Sequence, residues 1–101
     1  MDKRKLENIL DKLNIPVDNL GYVYLITAVE IYLKSKTNNI TETYKEIAKQ
    51  HKTKYSRVER AIRHEIDKNE DRIKQFFNVD YDITNRRFLA LLTREMEREE
   101  C

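Results

Sequence analysis

The sequence has little of what most reactive sites are built from. Its one cysteine, Cys101, is the last residue, so no internal disulfide and no cysteine-based metal centre can be assembled from the chain. The two histidines, His51 and His64, are far apart, and neither has a partner at metal-ligand spacing. With one glycine and one proline there is no glycine-rich phosphate loop and no nucleophile elbow, and carboxylate pairs such as Glu99-Glu100 read as surface charge. No apolar run approaches the roughly 20 residues of a membrane span, and the opening MDKRKLENIL places charge where a signal peptide is apolar. These absences set aside an enzyme, a cofactor, a metal, a small-molecule substrate and a membrane role. The expectation is a cytoplasmic protein.

What is present points to a helical domain. Hydrophobic residues make up 40% of the chain and charged residues 38%, with six tyrosines and three phenylalanines. That balance supports one core, and the scarcity of breakers favours helices over turns. Residues 1–101 are expected to form a single domain.

Apolar periodicity places the elements. Leu6, Ile9, Leu10 and Leu13 form one helical stripe that must stop before Pro16. GYVYLITAVEIYLKSK is apolar on nearly every face from Gly21 to Leu33, which predicts a central buried helix. After the polar connector SKTNN, Thr43-Tyr44-Lys45-Glu46 fits a capping box and predicts a helix from Thr43 to about Gln50; Ser56-Arg57-Val58-Glu59 fits a second. KNEDRIKQFF predicts a further helix burying Ile73, Phe76 and Phe77. The alternation of Val79, Tyr81 and Ile83 suits a short extended segment or wing near 79–83. Phe88, Leu89, Leu92 and Met96 mark a last helix from Thr84 or Asn85. The expected fold is all-α, about six helices with a central helix-turn-helix over about 43–67.

Charge gives this arrangement a direction. Residues 1–43 are neutral, residues 44–64 carry +5 and residues 65–101 carry −3, so the basic surplus lies on the helix-turn-helix, where a protein that meets phosphate would place it. Ala48 is small enough for two helices to cross, and Val58 lies ten positions later where the second helix packs back. At about 100° per residue, Val58, Ala61, Ile62, Glu65 and Ile66 share one side. Ser56, Arg60, Arg63 and Asp67 lie opposite, flanked by Glu59 and His64. Arginine's planar fork matches guanine O6 and N7, which makes Arg60 and Arg63 the base-reading candidates. Tyr44, Lys45, Lys49, Lys52, Lys54, Tyr55 and Arg57 are the phosphate candidates.

Each of these residues has a plainer reading. An arginine-rich helix face is ordinarily a solvated one, and only the helix-turn-helix setting turns it toward a partner. Glu59 reads equally as an acceptor for cytosine N4 and as half of the capping box. Tyr22, Tyr24 and Tyr32 read as core and rim packing. Lys52 stands in the turn where glycine is favoured, and Glu65 falls in the apolar arc, expected to meet a basic side chain at its edge.

SRVERAIRH at Ser56–His64, preceded by YKEIAK at Tyr44–Lys49, resembles the C-terminal DNA-binding effector domain of the stage-zero sporulation master response regulator of Firmicutes. GYVYL at Gly21–Leu25 and TNRRFLA at Thr84–Ala90 are similar to stretches of that family, and the resemblance runs from about Ile15 to about Leu92. It implies a helical domain that places its second helix-turn-helix element in the major groove, with Ser56, Glu59, Arg60, Arg63 and His64 on the recognition helix, as a homodimer or a tandem pair on DNA. Nothing resembles the family's receiver domain, so the chain is expected to be an excised effector domain or a stand-alone relative.

The expected function is therefore sequence-specific binding of double-stranded DNA, in transcriptional regulation and at the nucleoid, through helix 56–67. Two alternatives stand beside it: an accessory protein marking an origin or transfer site of a plasmid or phage, and a protein-interaction module that pairs with a full-length regulator.

Overall fold

In the computed structural model, residues 2–35 and 39–98 are described. The middle of the SKTNN connector and the tail with Glu99, Glu100 and Cys101 lie outside them. Five helices carry the described chain: α1 (Lys3–Lys12), α2 (Leu20–Ser35), α3 (Ile40–Gln50), α4 (Tyr55–Phe77) and α5 (Asn85–Glu97).

The uniformly apolar helix is the centre. α2 packs against all four others and buries Tyr22, Tyr24, Leu25, Ile26, Ala28, Val29 and Tyr32, so the three tyrosines belong to the packing, as expected. Its Gly21 permits the closest approach. A Cβ there would collide with the Glu65 side chain and stand 2.8 Å from the Ala61 carbonyl oxygen, so α4 crosses α2 backbone to backbone at that point. α1 lays Leu6, Ile9 and Leu10 on the core.

Helix ends repeat one device. Asn14, Lys52 and Asn78 all have positive φ, and each follows a helix whose last carbonyls are taken up in the same crossed pattern. Asn14 N bonds Asp11 O and Ile15 N bonds Leu10 O; Lys52 N bonds Lys49 O and Thr53 N bonds Ala48 O; Asn78 N bonds Gln75 O and Val79 N bonds Lys74 O. This is the Schellman motif, which asks for a left-handed residue. Asparagine tolerates that conformation better than other side chains with a Cβ, and lysine in the helix-turn-helix turn is the exception.

Several expectations need correction. α3 starts at Ile40, capped by Asn39, whose side chain accepts from Glu42 N at 3.2 Å; Thr43 lies inside the helix and bonds the Asn39 carbonyl. α4 starts at Tyr55 with Lys54 as its cap and no side-chain cap bond, so Ser56 and Glu59 form no capping box. The helix expected from Lys68 is continuous with the first half of α4 but bent at Asn69, whose φ of −126° and ψ of 21° are non-helical and whose side chain bonds the Glu65 carbonyl at 2.9 Å. Asparagine competes for backbone partners in this way. The structure thus has five helices, one of them kinked, among the described residues, where about six were expected.

Residues 79–83 form no strand and no wing. Ile83 is buried, and its N–H is met by the Glu70 carboxylate at 3.2 Å rather than by a neighbouring strand. Ile73 is fully buried and Phe77 half-buried, but Phe76, expected inside, is exposed and stacks edge-on against Phe77.

Candidate nucleic-acid interface

The first half of α4 is held by its apolar side. Val58, Ile62 and Ile66 are all at 0% exposure, each worth about 1.5–3 kcal/mol of burial, and they pack in one core with Ile47 and Ala48 of α3. Ser56, Glu59, Arg60, His64 and Asp67 are exposed and Arg63 half-exposed, the division that helical spacing predicts.

The outward side chains are not equivalent. Arg63 is tied to Asp67 one turn on, Nη2 at 2.6 Å and Nε at 2.9 Å from Oδ1; an exposed pair of this kind is worth at most about 1 kcal/mol, so a better acceptor can displace it. Arg60 has no ion-pair partner among the described residues. Glu59, freed from any capping role, presents its carboxylate to solvent.

An open groove runs along each flank of this ridge, and Arg60 borders both. On the α2 side the lining includes Lys54, Ser56, Arg57, His64 and Lys68. At its floor lies Glu65, 2% exposed, where the angular spacing placed it. Its Oε2 accepts from Asn19 Nδ2 at 2.8 Å, and Lys68 Nζ stands 4.0 Å from Oε1, so Lys68 is the basic neighbour that the sequence left unnamed. On the α5 side the groove is bordered by Thr41, Tyr55, Glu59, Arg63, Asn85 and Arg86.

Of the phosphate candidates, Lys49, Lys52, Lys54, Tyr55 and Arg57 are exposed; Lys45 is exposed and 3.6 Å from Glu42. Tyr44 is not a surface residue. It is 2% exposed, its hydroxyl accepts from Asn85 Nδ2 at 2.7 Å, and burial pushes its pKa up to about 12. It supports Tyr55 instead, ring against ring at 5.2 Å. His51 also turns inward, its Nε2 2.8 Å from Thr27 Oγ1 and its ring edge-on to Tyr24.

Sequence reading missed what α5 does here. Asn85 is 8% exposed and donates both to the Tyr44 hydroxyl and to the Glu59 carbonyl, the latter at 3.2 Å, so one amide ties α5 to both helices of the helix-turn-helix. The signal was present as TNRR, but the sequence shows only that Thr84 can cap a helix, which it does by accepting from Arg87 N at 3.1 Å. No helix among the described residues is long and apolar enough to cross a membrane.

A family model described as sporulation initiation factor Spo0A C terminal matches residues 6–96, a span that takes in most of α1 and nearly all of α5 with the helix-turn-helix between them. The chain therefore belongs to the family of the C-terminal domain of the sporulation initiation factor Spo0A.

Proposed function

We propose that the protein is a sequence-specific double-stranded DNA-binding regulator of transcription that seats the first half of α4 in the major groove. The observation that carries this reading is Arg60: exposed, without an ion-pair partner among the described residues, and projecting from a helix whose opposite side is fixed by three fully buried aliphatic residues. Arg60 reads a base edge directly, Arg63 does so by exchanging Asp67 for guanine, and Ser56, Glu59 and His64 complete the outward set. Lys45, Lys49, Lys52, Lys54, Tyr55 and Arg57 meet phosphates and set the register. Two copies on adjacent sites, as a homodimer or a tandem pair, and a place on the nucleoid follow from this reading.

In vitro selection of bound duplexes tests it, followed by titration of the selected site. Arg60→Ala should cost about 1–3 kcal/mol and relax base preference at one position. Arg63→Ala should cost less, because the wild type must first break the Asp67 pair. If both variants hold the selected site like wild type at every salt concentration, α4 is not the reading element. Mapping the selected sequence to promoters or to a replication or transfer origin separates a regulator from an accessory protein of a mobile element. A domain that only pairs with a full-length regulator would bind no duplex even at low salt.

A further inference from the structure

We infer that the groove between α4 and the start of α5 takes the sugar-phosphate backbone of one DNA strand, with Arg86 as its phosphate contact; this rests on the major-groove reading of α4. Two adjacent arginines open α5, and the structure separates them. Arg87 is committed within the protein: its Nη1 donates to the Asp82 carbonyl at 2.8 Å, and its guanidinium lies 5.1 Å from the centre of the Tyr81 ring. Arg86 is exposed and borders the groove with Arg60 and Arg63; among the described residues it makes no ion pair, and Glu59 is the only carboxylate on that groove.

Three helices of 11, 23 and 13 residues begin along this groove, α3 at Ile40, α4 at Tyr55 and α5 at Asn85, so their positive ends add to the arginines. The groove is also held in place, since Asn85 anchors the first residue of α5 to Tyr44 and to the Glu59 carbonyl. A helix in the major groove, which is about 12 Å wide, has one phosphate strand on each side. Arg60 borders grooves on both flanks of the ridge. Lys54, Arg57 and Lys68 serve the strand on the α2 side, and Arg86 answers them on the other.

The test is fluorescence-anisotropy titration of the selected duplex and of a random duplex across a salt series, using wild type, Arg86→Ala, Arg86→Gln and Arg72→Ala. Arg72 carries the same charge but borders a groove with Asp67, Glu70 and Asp71. Both Arg86 variants should flatten the dependence of log K on log salt by about 0.9, the share of one phosphate. They should weaken both duplexes by the same several-fold factor at low salt, while Arg72→Ala keeps the wild-type slope. A wild-type slope in the Arg86 variants would overturn the inference alone, with the function of α4 intact. A loss confined to the selected duplex would overturn it too, because a phosphate contact carries no sequence preference. If wild type bound neither duplex, the reading of α4 and this inference would fall together. Thermal melts of the variants at the wild-type temperature would tie the change to binding.

Discussion

On the proposed reading Lys52 meets a DNA phosphate while its backbone closes α3, and replacing it should move stability and DNA binding in opposite directions. Its φ of 52° is the left-handed conformation that closes α3 and sets the angle between the two helices of the helix-turn-helix. A residue with a Cβ pays about 1–2 kcal/mol there; glycine avoids that cost but loses about 0.5–1 kcal/mol through the freedom of its unfolded chain. Lys52→Gly should therefore stabilise the fold by about 0.5–1 kcal/mol, a rise in Tm of roughly 2–8 °C for a domain of this size. The bonds Lys52 N to Lys49 O and Thr53 N to Ala48 O are backbone and survive the change. Lys52→Asn should gain part of the same amount, since asparagine already serves at positions 14 and 78. Lys52→Ala, still with a Cβ, should gain little. In a salt titration, all three should lose the slope of one phosphate contact, about 0.9. Scanning calorimetry together with anisotropy reads both effects. A Lys52→Gly protein that melts at or below the wild-type temperature, or a Lys52→Ala protein that gains as much, would refute the strain argument.

Three further predictions concern Tyr44 and Glu59. Tyr44→Phe removes one of the two acceptors of the Asn85 amide and should cost about 1 kcal/mol of stability. With the Tyr44 pKa raised from 10.0 to about 12, its phenol ionises first in the unfolded chain, so its stabilisation is complete below pH 10 and is lost as the pH climbs to about 12; denaturant melts at pH 9 and pH 11 should differ more for wild type than for Tyr44→Phe. Glu59→Gln takes away the only carboxylate that the described residues place on the α5-side groove. It should tighten binding to random duplex while narrowing the gap to the selected site, and equal tightening on both duplexes would mean that Glu59 reads no base.

How much of this was legible in the sequence depended on what held each element. Stripes of Leu, Ile and Val gave α1, the central α2 and the buried side of α4, because burial imposes a period that survives in the letters. Starts of helices were less legible. Thr43 and Ser56 satisfy a capping spacing, but the same spacing occurs inside a helix whose cap lies earlier, as at Asn39, or whose first amides simply bond the preceding carbonyl, as Arg57 N and Val58 N do to Lys54 O. The break near Lys68 was sensed, yet Asn69 turns it into a bend within one helix. The alternation at 79–83 failed because Glu70 supplies from a distance the acceptor that a strand would have supplied. Tyr44 and Asn85, 41 positions apart, meet only in the fold, so no local pattern announces that Tyr44 is a support and not a contact.

The polar bonds around α4 have a task that its aliphatic stripe cannot perform. Val58, Ile62 and Ile66 bury α4, but an aliphatic side slides against a core with modest cost, and a slip of one residue would turn Arg60 by about 100° away from a groove. Directional bonds resist such a slip. Asn85 takes the carbonyl of Glu59, the residue before Arg60, and Asn19 takes the carboxylate of Glu65, farther along the same helix. Gly21 admits α4 at only one height, where Glu65 and Ala61 fill the space of its missing side chain. A buried carboxylate is costly unless it is bonded, and a rotation of α4 would take Glu65 from Asn19, its partner outside the helix. The residue that looked out of place in the apolar arc thus helps to fix the angle at which the arginines leave the protein.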